Sequence, residues 1–429
     1  MKGTVHYEKK DDVALLTVDN PPVNPLSSGV RQGLHDGVSQ ALADDAVKAI
    51  VLTGAGRAFI AGADISEFGA AATQGPGLHE VLTMMENSTK PIVAAINGTA
   101  FGGGLEVALC CDYRVAAPKA PVGLPEVKLG LLPGAGGTQR LPRLIGAEKA
   151  LQFILSGDPI PAPQAKALGI VDEVVDGDIV EGGIAYARKV VADGGKLRKI
   201  RDEAGKVEAD RDNQEIFAEA RKNAARRMRG RFAPEMIIQC VEAAVNLGDF
   251  DAGMKVEQEN FRKCLEHPQR EALIHVFFSE REVAKIPDVP KDTPVKDIKT
   301  AGVVGCGTMG GGITMSFANA GIPVTVLEMN QEALDKGLGV IKRNYDIQVS
   351  RGRMSEADVD KRMALITGTT SYEDLGDADV VIEAVYENLD VKKEVFAKFE
   401  QVMKPGAIIA SNTSGLDIDA MANVTSRPG

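Results

Sequence analysis

KPIVAAINGTAFGGGLEVALCCDYRVAA, residues 90–117, reads as a buried strand over 91–96, a glycine-rich turn and an apolar helix. The same theme precedes it. DVALLTVD at 12–19 and KAIVLTGAG at 48–56 read as strands, the second ending in a glycine turn, and NPPVNPLSSGV at 20–30 breaks the chain and then caps a helix. Such alternation predicts layered α/β structure. From about 181 to 285 the glycine turns thin out, and charged-apolar helical periodicity takes over, including RKNAARRMRGR at 221–231. This predicts a helical region that closes the first domain.

IPDVPKDTPVKD at 286–297 sets three prolines among charges, the mark of a linker or domain edge. Strand-helix alternation then restarts: AGVV at 301–304 enters a turn, TMGGGITMSFANAG follows as a helix and IPVTVLEMN as the next strand. Further strands are predicted at about 379–385 and 407–411, separated by the helix LDVKKEVFAKFEQVM. The expected division is a core over 1–185, a helical region over 186–290 that completes it and links, and a second α/β domain over 296–429.

At 429 residues the chain is too long for one hydrophobic core. A net charge of −11 argues against nucleic acid as a partner, since phosphate binding needs a basic surface. No apolar run approaches the ~20 residues of a membrane helix, so no membrane insertion is expected. The N-terminal MKGTVHYEKKDD lacks a signal-peptide core. The five cysteines show no CxxC pair and read as reduced, buried thiols, and no residue is assigned to a metal.

Gly102-Gly103-Gly104 ends a strand and opens a helix, so its backbone can approach a ligand closely and point free N–H groups at developing negative charge; a tight turn is the bland alternative. Glu106 lies in the apolar run Leu105–Cys110, where a carboxylate is excluded unless paired or functional, or unless it merely complements the helix dipole. Glu126 follows a proline-fixed turn, Gly123-Leu124-Pro125, and alone would be a solvated loop acid. Ala58-Phe59-Ile60-Ala61-Gly62-Ala63-Asp64 is a small-residue loop after a buried strand, alone a plain surface loop. Two glycine runs, 54–59 and 134–139, begin like dinucleotide fingerprints but lack the final glycine and are not read as nucleotide loops. The basic run at 221–231 reads as a solvated helix face rather than a CoA-phosphate contact.

AFIAGADI at 58–65, NGTAFGGGLEVALCCDYRVA at 97–116 and GLPEVKLGLLPGAGGTQRLPRLIG at 123–146, in this order and spacing, resemble the crotonase (enoyl-CoA hydratase/isomerase) superfamily. The resemblance implies the crotonase (ClpP/crotonase-like) spiral fold and a CoA thioester substrate, with no cofactor for hydration. It also implies that the N–H groups of Ala61 and Gly103 bind the thioester oxygen, with Gly62, Ala63 and Asp64 beside them, and that Glu106 and Glu126 hold and activate a water. Having both carboxylates favours a hydratase over an isomerase.

In the second half, Gly305-Cys306-Gly307-Thr308-Met309-Gly310 follows a strand and opens a helix, and Glu328 ends the next strand, where an acid accepts ribose hydroxyls and favours NAD over NADP. GVVGCGTMGGGI at 302–313, VVIEAVYENLDVKKEVF at 380–396 and ASNTSGLDI at 410–418 resemble the Rossmann doubly wound NAD-binding domain of L-3-hydroxyacyl-CoA dehydrogenases. That implies NAD as cofactor, Glu387 and Lys392 at its nicotinamide side and Ser414 near the substrate hydroxyl; from the residues alone, Glu387 and Lys392 are an exposed helix pair and Ser414 a turn serine. The family's catalytic histidine is not matched, because His6, His35, His79, His267 and His275 all precede this segment. Both halves in this order resemble the multifunctional enzyme type 1 and bacterial fatty-acid-oxidation α-subunit families, which implies fatty-acid β-oxidation. Two readings stay open beside it: an isomerase-dominant enzyme, and a hydratase fused to a non-catalytic NAD-binding module. The expected partners are acyl-CoA substrates; the chain is a monomer, or joins a thiolase if of the complex-forming type. The expected location is the bacterial cytoplasm, with the peroxisome as alternative.

Overall fold

In the first unit, every second residue of the central strands packs to the same side, as the two-residue period of a strand requires. β1 (Thr4–Lys10), β2 (Val13–Asp19), α1 (Ser28–Ala43), β3 (Ala49–Gly54), β4 (Ala58–Ile60), α2 (Leu78–Glu86), β5 (Ile92–Ile96), β6 (Thr99–Phe101), α3 (Gly103–Cys110), β7 (Tyr113–Ala116) and β8 (Pro121–Gly123) open the chain. After a short 3-10 helix (Pro125–Leu129) come α4 (Gly137–Ile145), α5 (Ala147–Ser156), β9 (Ile160–Pro161), α6 (Ala162–Leu168), β10 (Glu173–Val174) and α7 (Ile179–Ala192). One face of β2, β3 and β5, with Leu16, Leu52 and Ala94, packs in a core with Val30, Leu34 and Val38 of α1. The other face, with Leu15, Val51 and Ala95, packs in a second core with Ile184 and Ala187 of α7. Cover on both sides explains why these strands are continuous apolar runs.

The computed structural model describes residues 3–64, 75–283, 285–290 and 292–428. Ile65 of the AFIAGADI motif and Lys291 of the proline-rich stretch lie outside the described residues. The chain divides into Met1–Ile286 and Pro287–Gly429. In the first unit, six strands form one sheet in the order β1-β2-β3-β5-β7-β10, and four form another, β4-β6-β8-β9. Each pass of the chain lays a long strand in the first sheet and a short one in the second: β3 then β4, β5 then β6, β7 then β8. This repeat is a spiral. The helices α8 (Gly205–Asp210), α9 (Glu215–Arg227), α10 (Ala233–Asn246), α11 (Phe250–Glu266) and α12 (Pro268–Glu282) follow. Ile237, Cys240, Val241 and Cys264 from α10 and α11 belong to the same buried cluster as α4 and α5, so these helices complete the first unit's core.

The second unit consists of β11 (Ala301–Val304), α13 (Thr308–Asn319), β12 (Val324–Leu327), α14 (Gln331–Ser350), α15 (Glu356–Met363), β13 (Ile366–Thr369), β14 (Val380–Glu383), α16 (Leu389–Val402), β15 (Ile408–Ser411) and α17 (Ile418–Ala422). Its sheet is all parallel in the order β13-β12-β11-β14-β15. The order reverses at β11, which places a crevice at the carboxyl ends of β11 and β14, the topological position where such sheets take ligands. All five cysteines are free and buried, as the sequence suggested. Among the described residues no helix is long and apolar enough to cross a membrane.

Candidate functional site

The three glycines at 102–104 have three different structural causes. Gly102 has φ +54°, and a Cβ there would lie 2.9 Å from Oε1 of Glu126. A Cβ on Gly103 would lie 3.0 Å from Leu26 and 3.7 Å from the Ala63 nitrogen. One on Gly104 would fall 2.0 Å from the carbonyl oxygen of Ile60. The missing side chains therefore admit a carboxyl group and bring α3 against the end of β4. As the first residue of α3, Gly103 has an N–H with no partner inside the helix.

The expected role of Ala61 needs correction. Its N–H donates to the carbonyl of Val23 at 3.1 Å, so it is spent on holding the loop and is not available to a thioester oxygen. Gly62 turns the chain with φ +113°, and its carbonyl accepts from Leu26 N–H at 2.9 Å. That turn carries Ala63 to a bridge opposite Leu26, beside Gly103. Ala61, Gly62, Ala63, Asp64, Gly103, Glu106 and Glu126 all line one cavity of about 320 Å³, with a largely apolar wall that includes Leu26, Phe101, Leu132 and Phe261.

The two carboxyl groups of the cavity have opposite surroundings. Oε1 of Glu106 accepts the N–H groups of Ala135 at 2.7 Å and Gly137 at 2.8 Å, at the start of α4. Burial raises its pKa, while these amides and the Arg140 guanidinium pull it back. Among the described residues, Oε2 of Glu126 is enclosed and has no hydrogen-bond partner. Burial, then the charge of Glu106, then that of Glu257, push Glu126 well above the ordinary carboxylate range. Both acids are thus raised by burial, Glu126 well above the ordinary range, while amide donors and the Arg140 charge oppose the rise at Glu106. Arg140 is itself held by a buried bidentate pair with Glu86, 2.8 Å for each bond.

Two groups near this site carried no sequence signal. His79 of α2 lines the cavity; burial and then the Arg140 charge lower its pKa, against a hydrogen bond with the Gly134 backbone. Glu257 of α11 is fully buried and accepts from Gly136 N–H at 2.7 Å, Thr138 N–H at 3.1 Å and the Thr138 hydroxyl. The glycine run 134–139 thus gives its amides to carboxylates, in keeping with its exclusion as a nucleotide loop.

In the second unit, Gly305 (φ +94°) turns the chain at the end of β11, and a Cβ on Gly310 would fall 1.8 Å from the Gly305 carbonyl oxygen. Nothing lies within 4 Å of a Cβ on Gly307, the residue that precedes α13. The loop is tight on its inner side and open where a pyrophosphate would meet the amides of Gly307, Thr308 and Met309, so it fits a dinucleotide. Glu328, past the end of β12, reaches the same loop: its Oε1 accepts from Cys306 N–H at 2.7 Å. Across the sheet reversal, Lys392 is not half of an exposed pair. It is 1% exposed, and its ammonium donates to Oε1 of the buried Glu383 at 2.7 Å and lies 3.1 Å from Glu387. Ser411 donates to the other oxygen of Glu383 at 2.6 Å. The Thr413 hydroxyl, then Lys392, hold the Glu387 carboxyl below its usual range, with a smaller contribution from the Ser414 backbone. Glu387 and Ser414, on the loops after β14 and β15, and Lys392, in the first turns of α16, are therefore brought together. The sequence missed Glu383, whose burial comes from its place at the end of a central strand.

Residues 8–225 match the family described as enoyl-CoA hydratase/isomerase. Residues 300–429 match the NAD binding domain of 3-hydroxyacyl-CoA dehydrogenase. The chain is 40% identical over 420 residues to the peroxisomal bifunctional enzyme of Homo sapiens, covering 97% of this chain and 57% of that one. It is 37% identical to the peroxisomal fatty acid beta-oxidation multifunctional protein MFP2 of Arabidopsis thaliana, covering 97% and 58%. It thus spans a little under three fifths of the length of these relatives.

Proposed function

From the premise that this chain belongs to the enoyl-CoA hydratase/isomerase family, we propose that its first unit adds water across the double bond of a 2-enoyl-CoA thioester. The observation that carries the reading is the pair of unlike carboxyl groups, Glu106 and Glu126, facing one cavity beside the N–H groups of Gly103 and Ala63. Those two amides would receive the thioester oxygen. Charge builds there as an enolate forms, and a donor already in place costs no reorganisation. Glu106 takes a proton from the water whose oxygen bonds to C3, and Glu126 gives its proton to C2. The next turnover begins once a proton has returned from Glu106 to Glu126.

The second unit supplies an NAD site. NAD, when bound, accepts a hydride; the chain's part is to hold the pyrophosphate on the 305–310 loop and the adenosine ribose at Glu328, and to set Glu387 and Lys392 at the other end of the sheet reversal. A 3-hydroxyacyl-CoA, the hydration product, is the substrate class such a unit would oxidise, which places the chain in fatty-acid β-oxidation. The names of the human and Arabidopsis relatives favour the peroxisome over the bacterial cytoplasm as its place of action.

The test is hydration of 2-enoyl-CoA by Glu106→Gln and Glu126→Gln, which keep shape and remove an acid-base group. Each should lose on the order of 10² or more in kcat. Turnover near that of the unaltered protein in both variants would sink the reading, and faster conversion of 3-enoyl-CoA than hydration of 2-enoyl-CoA would make the first unit an isomerase.

A further inference from the structure

The amides that open α4 are divided between two acids from different helices. Ala135 and Gly137 donate to Glu106 of α3; Gly136 and Thr138 donate to Glu257 of α11. The helix has no cap of its own, because its N-cap is Gly136, so both remote carboxyl groups serve its free N–H groups. We propose that Glu257 is a positioning residue for hydration: by gripping the even-numbered amides of this turn it aims the odd-numbered ones at Glu106. The inference rests on the hydratase reading.

Two negative charges on one dry turn repel, so one acid must keep a proton. The surroundings decide which. Glu257 is pushed up to about 8, by burial first and then by the charge of Glu106, against hydrogen bonds from Thr138 and Gly136 and the Arg140 charge. Arg140 is already bound to Glu86. The other groups facing it are Glu126, itself raised, and the Cys240 thiol of α10, which burial keeps neutral. On α11 itself Lys255 and Glu259 are exposed. At neutral pH Glu257 holds its proton; above that range its charge enters the turn, raises the proton affinity of the neighbouring acids and so opposes release of the Glu126 proton to C2.

The test combines kinetics with infrared spectroscopy on the whole chain. Glu257→Ala should lower kcat by about ten-fold or more with KM little changed, since the turn behind Glu106 loses its anchor. Glu257→Gln, neutral at every pH and still able to accept from Gly136, should recover most of that loss. It should also lack the fall in kcat that the unaltered protein shows near pH 8. In the unliganded protein, the carbonyl band of a protonated carboxylic acid should titrate in the same range and be missing from Glu257→Gln. An alkaline fall that persists in Glu257→Gln, or a carbonyl absorption whose intensity and pH dependence the substitution leaves unchanged, would overturn the proposal. A protein without hydratase activity that still shows the band, lost in Glu257→Gln, would sink the hydratase reading while leaving the proton on Glu257 established.

Discussion

Gly104→Ala isolates the contact that sets the width of the proposed oxyanion site. The new methyl group would lie 2.0 Å from the Ile60 carbonyl oxygen and 2.7 Å from its carbon, where real contacts stay above 3.0 Å. Both partners are backbone, so no side chain can turn aside; α3 and the end of β4 must part by about 1 Å, a displacement of the size that costs ~10² in rate at a positioned site. Gly103 rides on α3 and Ala63 follows β4, so the two amides move apart. An oxygen held at ~2.9 Å by one would sit near ~3.9 Å from the other, outside hydrogen-bond range. Losing one such donor costs about 10²–10³ in kcat, and the overpacked contact about 1–3 kcal/mol of stability. The assay is loss of the enoyl thioester absorbance, with circular dichroism to show that the variant is folded. Gly205→Ala, whose Cβ meets nothing within 4 Å, serves as the control. A folded Gly104→Ala protein that hydrates at close to the rate of the control would refute the reasoning.

Calorimetric titration should show NAD binding in preference to NADP, because a 2′-phosphate would meet the Glu328 carboxylate; equal or tighter NADP binding would remove Glu328 from the ribose. Asp379 ties the start of β11 through Lys404 and the amides of Lys299 and Thr300, which hold its pKa well below the ordinary carboxylate range. A depressed acid stabilises the fold above its unfolded pKa and loses that contribution as pH falls through the folded one. Asp379→Asn should therefore melt lower than the unaltered protein at pH 7, with the gap closing in strong acid; a gap that does not narrow would mean the carboxylate charge is not what the strand needs.

The long strands of the first sheet were legible because burial on both faces writes an apolar run: KAIVLTGAG contains β3, and PIVAAI contains β5. The second sheet was not, since β4, β6, β8 and β9 are two or three residues long, too short for any period to register. Glu106 and Glu126 stood out as acids in apolar or glycine-rich company. The choice between Ala61 and Ala63 could not be made locally, because what occupies the Ala61 amide is Val23, on the far side of α1. Lys392 looked exposed beside Glu387 on its own segment; its burial depends on Glu383 and Ser411 arriving from β14 and β15. Glu257 lies 121 residues from the Gly136 amide it accepts, a separation at which sequence spacing says nothing.

That separation also orders events during synthesis. A nascent chain that has emerged through α6 already carries Glu106, Glu126, Ala63 and Gly103. Yet the turn ahead of α4 then has protein acceptors for the amides of Ala135 and Gly137, while those of Gly136 and Thr138 still await Glu257 and are left to water. The catalytic half of the turn stays loosely held until the ribosome has delivered α11, so hydration should become possible late, long after its own acids have been made.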